Sequence, residues 1–349
     1  MPGLYTHYTF GREVYKQLEN NLVKNAIREH RTVYNLGMQG PDIFFYFPGF
    51  PLLNRLGRKI SNLGTRMHHS PVNPFFMEML KETCRLKGRQ QQVAIAYLAG
   101  FCGHLSLDST AHPMIYHFTE YKEGVKGNFE IHATYETDID YCIAQKYLKK
   151  SPYNIKTKKE MSMTKYESEV VGDLLCKVCA KCYDMNQWKS MYRFAVRNFP
   201  VMTSLFQSKT GRRKRILQRI EKLVIGHYQF SPLVVEKKYK MNSRVLNESH
   251  HRWENYWKKE LVSCKSFLDL FDEARQVYCC MIDAMNEYIL QKKYSVHDGS
   301  MRNKYVKHKG SMQSKKKQIK MNRAMDEFLR GVGNRSYRSG LSYDEFYTG

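Results

Sequence analysis

Apolar residues recur at helical spacing along most of the chain, and the alternation that marks a half-buried strand is missing throughout its first half. The opening stretch HYTFGREVYKQLENNLVKNAIREHRTVYNLG reads as two short helices. Gly37, Gly40 and Pro41 break that pattern, and GPDIFFYFPGFPLLNRLG follows as an irregular, aromatic-rich segment. Helical spacing returns in PFFMEMLKETCRL. The most apolar stretch, QQQVAIAYLAGFCGHLSLDSTAHP, predicts a helix buried on most sides, with Pro113 marking its end or a kink. NFEIHATYETDIDYCIAQKYLKK predicts another helix.

The second half predicts helices over 167–182, 188–198 and 213–223, and a longer one over 264–290. Pro152, Pro200 and Pro232 lie between them as breaks. From about Tyr294 Gly, Ser, Asn and Lys dominate, which predicts a flexible tail with one short helix near 318–329. The expectation is an all-α, multi-helical domain over residues 3–290 and a basic, flexible extension over 291–349.

The 349 residues suffice for a sizeable core, and 18 Met, 18 Phe and 25 Tyr supply the packing volume. There is no long uninterrupted apolar run, so no membrane-spanning helix is expected. The N-terminal residues lack the basic and apolar regions of a secretory signal, which points to the cytoplasm. Nine cysteines, an odd number without a small-domain disulfide pattern, fit a reducing compartment. Cys176, Cys179 and Cys182 have no fourth thiol at useful spacing, so they read as ordinary buried thiols rather than a cluster site.

The net charge of +24 favours anionic partners of any class: phosphorylated substrates, the surface of an anionic membrane or nucleic acid. Part of the excess lies at the end of the chain, where 14 Lys or Arg face 5 Asp or Glu after residue 290. TGRRKRILQR, residues 210–219, is the densest basic run. It suits membrane phosphate or nucleic acid, and equally a solvated helix face, because it lacks regular stacking aromatics.

Candidate chemistry concentrates on the two apolar helices. His104 and Asp108 are four residues apart and therefore share a helix face, and His132 and Glu136 repeat the arrangement. His112 lies one turn beyond Asp108. Imidazole and carboxylate ligands together suit zinc. Burying so many ionisable groups without a counter-charge is costly, and a metal supplies it. A lone histidine on an apolar helix is usually a satisfied core residue; two H-x-x-x-[DE] pairs and a further histidine shift that judgement.

The segments HYTFG, GMQGPDIFFY, LGTRMHH, YLAGFCGHLSLDSTAHPMIYH and HATYETD resemble the zinc-dependent phospholipase C family, which includes bacterial phosphatidylcholine-preferring enzymes and intracellular relatives. The resemblance covers residues 3 to 145, with a weaker likeness in WENYW and SFLDLFDEA. It implies an all-helical fold distantly like that of the trinuclear-zinc single-strand nucleases, and two or three Zn²⁺ ions. Carried over by position, His68, His104 and Asp108 gather at one zinc, His112, His132 and Glu136 at a second, and His7 with a bridging Asp108 at a third. His69 is the alternative to His68. Asp42 corresponds to the acid beside the attacking water, as general base or metal neighbour.

The chain departs from the family pattern at the third ion. The secreted enzymes use an N-terminal tryptophan there, and no Trp stands near the start of this sequence; loss of Met1 would leave the secondary amine of Pro2. The resemblance implies phosphodiester hydrolysis, releasing diacylglycerol and a phosphorylated headgroup if the substrate is a phospholipid. The alternatives are a nuclease-like phosphodiesterase, or a non-catalytic protein whose zinc is structural and which binds a membrane surface. Phe44, Phe45 and Phe47 offer either an apolar lip for an acyl chain or core packing beside Asp42.

Overall fold

The computed structural model describes residues 3–46, 55–120, 122, 125, 128–185, 189–224, 226–300 and 309–346. Its helices are α1 (Leu4–Gln17), α2 (Leu22–Glu29), α3 (Arg31–Gly37), α4 (Arg55–His68), α5 (Asn73–Arg85), α6 (Gly88–Thr119) and α7 (Asn128–Ile143). They continue as α8 (Thr157–Met161), α9 (Lys165–Tyr183), α10 (Lys189–Leu205), α11 (Arg212–Val224), α12 (Phe267–Ser300), α13 (Lys309–Val332) and α14 (Tyr343–Phe346). Sheet is confined, among the described residues, to a parallel pair, β1 (Gln207–Ser208) with β2 (Val235–Glu236), and an antiparallel pair, β3 (Trp253–Glu254) with β4 (Val262–Ser263). The all-α class expected from periodicity holds. The opening stretch forms three helices rather than two: Asn21 caps the start of α2 by accepting from the Lys24 amide, and the non-helical backbone of His30 separates α2 from α3.

Helix α6 is the axis of the molecule. Over 32 residues it is buried almost throughout, with α2, α3, α5, α7, α9 and α12 packed around it. Its contact with α3 depends on two glycines. A Cβ on Gly100 would lie 2.3 Å from the Tyr34 carbonyl oxygen, and one on Gly37 would lie 2.4 Å from that of Tyr97. The backbones therefore meet without side chains between them, which brings the turn after α3, with Asp42, against the middle of α6.

Two prolines lie within helices. Pro113 does not end α6, which runs on to Thr119. Pro200 lies inside α10 rather than between helices. A proline within a helix forfeits one backbone bond; at Pro200 the flanking side chains Val196, Phe199 and Thr203 are buried, and that packing keeps the helix continuous.

Part of the stretch expected as an extension is helical and packed on the body. Helix α12 continues ten residues past Leu290, and α13 packs against it and against α5 through the buried side chains of Ala324, Met325, Phe328 and Val332. The chain then returns to the body. Asn334 and Asn73 exchange amide-to-side-chain hydrogen bonds of 3.0 and 3.1 Å, and Tyr337 is buried. Lys320, Arg323 and Arg330 lie on the exposed face of α13, and such charges hide the narrow apolar stripe in the sequence.

If the α3–α6 contact holds the architecture, Gly100→Ala places a methyl group where only backbone can yield. We expect a loss of about 1–3 kcal/mol, the usual penalty for overpacking, read as a lower denaturation midpoint in urea. A midpoint unchanged from the parent would show that the two helices separate freely.

Candidate metal centre

Three groups of buried side chains meet along one side of α6: Asp42, His68 and His104; His7, His104 and Asp108; and His112, His132 and Glu136. Within each, the potential ligand atoms lie within 4.8 Å of one another. All eight residues singled out in the sequence come together, drawn from α1, the turn after α3, α4, α6 and α7. The grouping differs in one respect from the family-based expectation. His104, rather than Asp108, is common to two groups, and Asp42 joins His68 and His104 directly, its Oδ1 3.4 Å from His68 Nε2 and 3.9 Å from His104 Nε2.

The helices set this geometry. Asp108 stands one turn from both His104 and His112; its Oδ2 lies 3.2 Å from His104 Nε2 and 3.8 Å from His112 Nδ1, while its Oδ1 lies 3.0 Å from His7 Nε2. On α7, Glu136 Oε1 is 2.9 Å from His132 Nε2 and 3.6 Å from His112 Nε2. The turn bearing Asp42 can reach His104 because Gly40 adopts φ +50, and a Cβ there would lie 2.2 Å from the His104 ring.

The tautomers of three histidines follow from their outer partners. His68 Nδ1 donates to the Gly64 carbonyl at 2.8 Å, His104 Nδ1 to that of Met38 at 3.3 Å, and His112 Nδ1 to that of Tyr337 at 2.6 Å. In neutral imidazole this leaves the Nε2 lone pair directed inward, the arrangement that metal-ligating histidines adopt. The Nε2 atoms of these same three residues are buried without a hydrogen bond, as are Asp42 Oδ1, Asp108 Oδ2 and His7 Nδ1. Six buried polar atoms without a hydrogen bond, spread over the three groups, are costly unless cations satisfy them. By this test the residues fit divalent ions, with zinc favoured by the mixture of imidazole and carboxylate donors.

The electrostatics agree. Burial alone would raise the Asp108 carboxyl, yet His104, His112 and the hydrogen bond from His7 hold it well below the usual range. Burial would lower His104, but the carboxylates of Asp108 and Asp42 raise it. His7 is lowered by burial and by the neighbouring His104. The carboxylates thus demand a positive charge among the rings, whether a proton or a metal ion carries it.

Of the two adjacent imidazoles at the end of α4, His68 faces Asp42. His69 is exposed, with Nδ1 on the Thr65 carbonyl at 2.7 Å and Nε2 paired with Arg338. Phe44 is core, packed edge-on against Tyr192, whereas Phe45 lines the cavity in front of the centre. Phe47 lies outside the described residues.

That cavity, of about 390 Å³, has His68, His112, His132, Asp42 and Glu136 on one wall and Phe45, Tyr46, Phe129, Phe206, Phe230 and Leu233 on others. Sequence reasoning missed its contribution from the end of the chain. Arg338 is the one Lys or Arg among the lining residues described. It donates to Tyr116 Oη at 3.1 Å and lies over the rings of Tyr116 and Trp257. Its neighbour Tyr337 packs on the His68 and His104 rings.

A family model described as zinc dependent phospholipase C matches residues 6–182. The chain belongs to the zinc-dependent phospholipase C family. All eight residues of the metal centre fall inside the match, and the general chemistry of this family member is that of a metal-dependent hydrolase. The match ends well before α11 and Arg338. Comparison with curated proteins and with solved structures found no match.

A second unanticipated residue is Asp140, one turn beyond Glu136. It accepts from the amides of Thr6 and Tyr5 at 2.6 and 3.3 Å and from the Thr6 hydroxyl at 2.6 Å, so it fastens the start of α1, and with it His7, to α7. Burial pushes its carboxyl up to about 7, against the lowering effect of the Thr6 hydrogen bonds. An unfolded aspartate loses its proton near pH ~4. Between there and about 7 the folded state holds the extra proton, so this group's contribution to stability falls as pH rises through that window. Asp140→Asn should remove that slope. Urea unfolding of both proteins at several pH values checks it: the stability of the parent relative to the variant should decline from acid to neutral, and a constant difference would contradict the raised value.

Proposed function

We propose that this protein is a phospholipase C-like phosphodiesterase, which cleaves phospholipids to diacylglycerol and a phosphorylated headgroup. The observation that carries this reading is the cavity. Its polar wall includes five residues of the candidate metal centre, Asp42, His68, His112, His132 and Glu136, and its remaining walls are largely aromatic and aliphatic, as a substrate with a phosphodiester next to acyl chains requires. Among the described residues no helix is long and apolar enough to cross a membrane, so a lipid substrate would have to be met at its surface.

Divalent ions at the three groups would supply Lewis acidity toward the phosphate and lower the pKa of an attacking water. The chain's own residues complete the reaction. Asp42, buried at the cavity wall, accepts the proton of that water. The water oxygen bonds to phosphorus, the bond from phosphorus to the glycerol oxygen breaks, and the departing oxygen takes up a proton from solvent, to which Asp42 returns the one it accepted, as diacylglycerol leaves. Arg338, which lies over the Tyr116 and Trp257 rings at the cavity wall, offers its guanidinium to the phosphate or headgroup. Phe45, Tyr46 and Phe206 exclude water from the acyl side.

The test is a hydrolysis panel in zinc-replete buffer, containing a short-chain phosphatidylcholine, other phospholipids, nucleotides and single-stranded nucleic acid, with products identified. Diacylglycerol should appear. Asp42→Asn should lower kcat by about 10²–10⁴-fold, the usual range for a lost general base, and Arg338→Gln should chiefly raise KM. Release of nucleotides alone would transfer the assignment to nuclease-like chemistry. No turnover by a metal-loaded protein would make the centre structural.

A further inference from the structure

Helix α11 is built inside out. Its inward side carries Lys214, Leu217, Gln218 and Glu221, and Glu221 is fully buried. Its outward side carries Ile216 and Ile220, each 46% exposed, and Leu223 at 87%, with Val224 beside them at 67%. These positions recur at i, i+4 and i+7 and therefore form one stripe. Along the flank of that stripe stand Arg212, Arg215, Arg219 and Lys222, all exposed, and none of the four forms an ion pair among the described residues. An isolated apolar side chain at a surface is ordinary. A continuous stripe flanked by four cations, on a helix whose buried side is polar, is not explained by packing.

What lies inward ties this helix to the cavity. Glu221 accepts hydrogen bonds from the amides of Gln229, Phe230 and Ser231, at 3.2 Å from Gln229 and from Ser231. Gln229 and Phe230 are cavity wall. At the other end, Arg213 donates to the Gln207 carbonyl at 2.9 Å, directly after Phe206, another wall residue. The chain just before it adds Val201 and Leu205, 40% and 55% exposed, on the same helix as the wall residue Thr203.

We propose that α11, with the exposed end of α10, is the surface by which this protein docks on an anionic lipid bilayer and presents its cavity mouth to the membrane. Apolar side chains enter the headgroup–acyl boundary while the flanking guanidinium and ammonium groups meet lipid phosphates, which is how interfacial helices bind. The apolar stripe favours a bilayer over a nucleic acid, since binding along a nucleic acid backbone needs the cations and not the isoleucines. This docking would serve the phospholipid reading, but its test requires no turnover.

Co-sedimentation of the full chain with phosphatidylserine–phosphatidylcholine vesicles is the measurement, with a single-stranded RNA oligonucleotide as a second probe. Combined replacement of Ile216, Ile220 and Leu223 by Ser should weaken vesicle binding by roughly tenfold or more and leave the melting temperature unchanged. Replacing Arg212, Arg215, Arg219 and Lys222 by Gln should weaken it by roughly a hundredfold or more. If the triple variant loses cooperative unfolding, Leu223→Ser alone, at the most exposed position, takes its place. Vesicle binding indifferent to both variants would overturn the proposal. So would RNA binding that survives the serine variant in a protein that ignores vesicles. Should vesicles bind as expected while the hydrolysis panel stays blank, docking stands and the phospholipase reading fails.

Discussion

The carboxylate of Asp108 sits at zero exposure between three imidazoles, and the rest of the molecule is arranged around that burial. A lone carboxylate in such a place is strongly disfavoured. Here it is held ionised by His104, His112 and His7, and the surplus lone pairs of those rings and of Asp42 converge beside it. The glycine contact between α3 and α6 brings Asp42 to this point, the Asp140 clamp brings α1 and His7, and the carbonyls of Gly64, Met38 and Tyr337 turn the rings. Each of these outer contacts is backbone-mediated or buried, so the cluster is preorganised by the fold rather than assembled by a ligand.

Polarity inside a hydrophobic axis has a structural consequence. Helix α6 shows almost no separation of apolar and polar faces in its burial, because it is surrounded on every side. The metal centre is therefore not a surface cleft but an opening in the core, reached through the cavity between α7, the end of α10 and the segment carrying Phe230. That explains how aromatic walls and charged ligands come to adjoin: the same core supplies both.

Much of this was legible in local pattern. The i, i+4 spacing of His104–Asp108 and His132–Glu136 on apolar helices pointed to a shared buried face, and α6, α7, α9 and α12 overlap the stretches where periodicity places helices, whereas α4, which carries His68, falls outside them. What remained hidden depends on contacts between distant residues. Arg338 and the Tyr337 carbonyl reach the centre across 222 and 225 positions of sequence, from a stretch whose lysines and glycines read as a tail. Asp140 reads as one more acid on α7 until the start of α1 is seen against it. In α11 the basic run was visible, but which side of the helix faces water was not, because a burial pattern inverted by Glu221 contradicts the usual rule that the apolar stripe faces the core.

The central claim is that the converging imidazoles and carboxylates exist to hold divalent cations. Diffraction data collected above and below the zinc absorption edge, from crystals grown without chelator, test it most directly. The account predicts two or three anomalous peaks, one in contact with Asp42, His68 and His104, another with His112, His132 and Glu136, and any third beside His7 and Asp108. Crystals from zinc-replete protein that show no metal there, with His7 and His104 still in direct contact with Asp108, would contradict it.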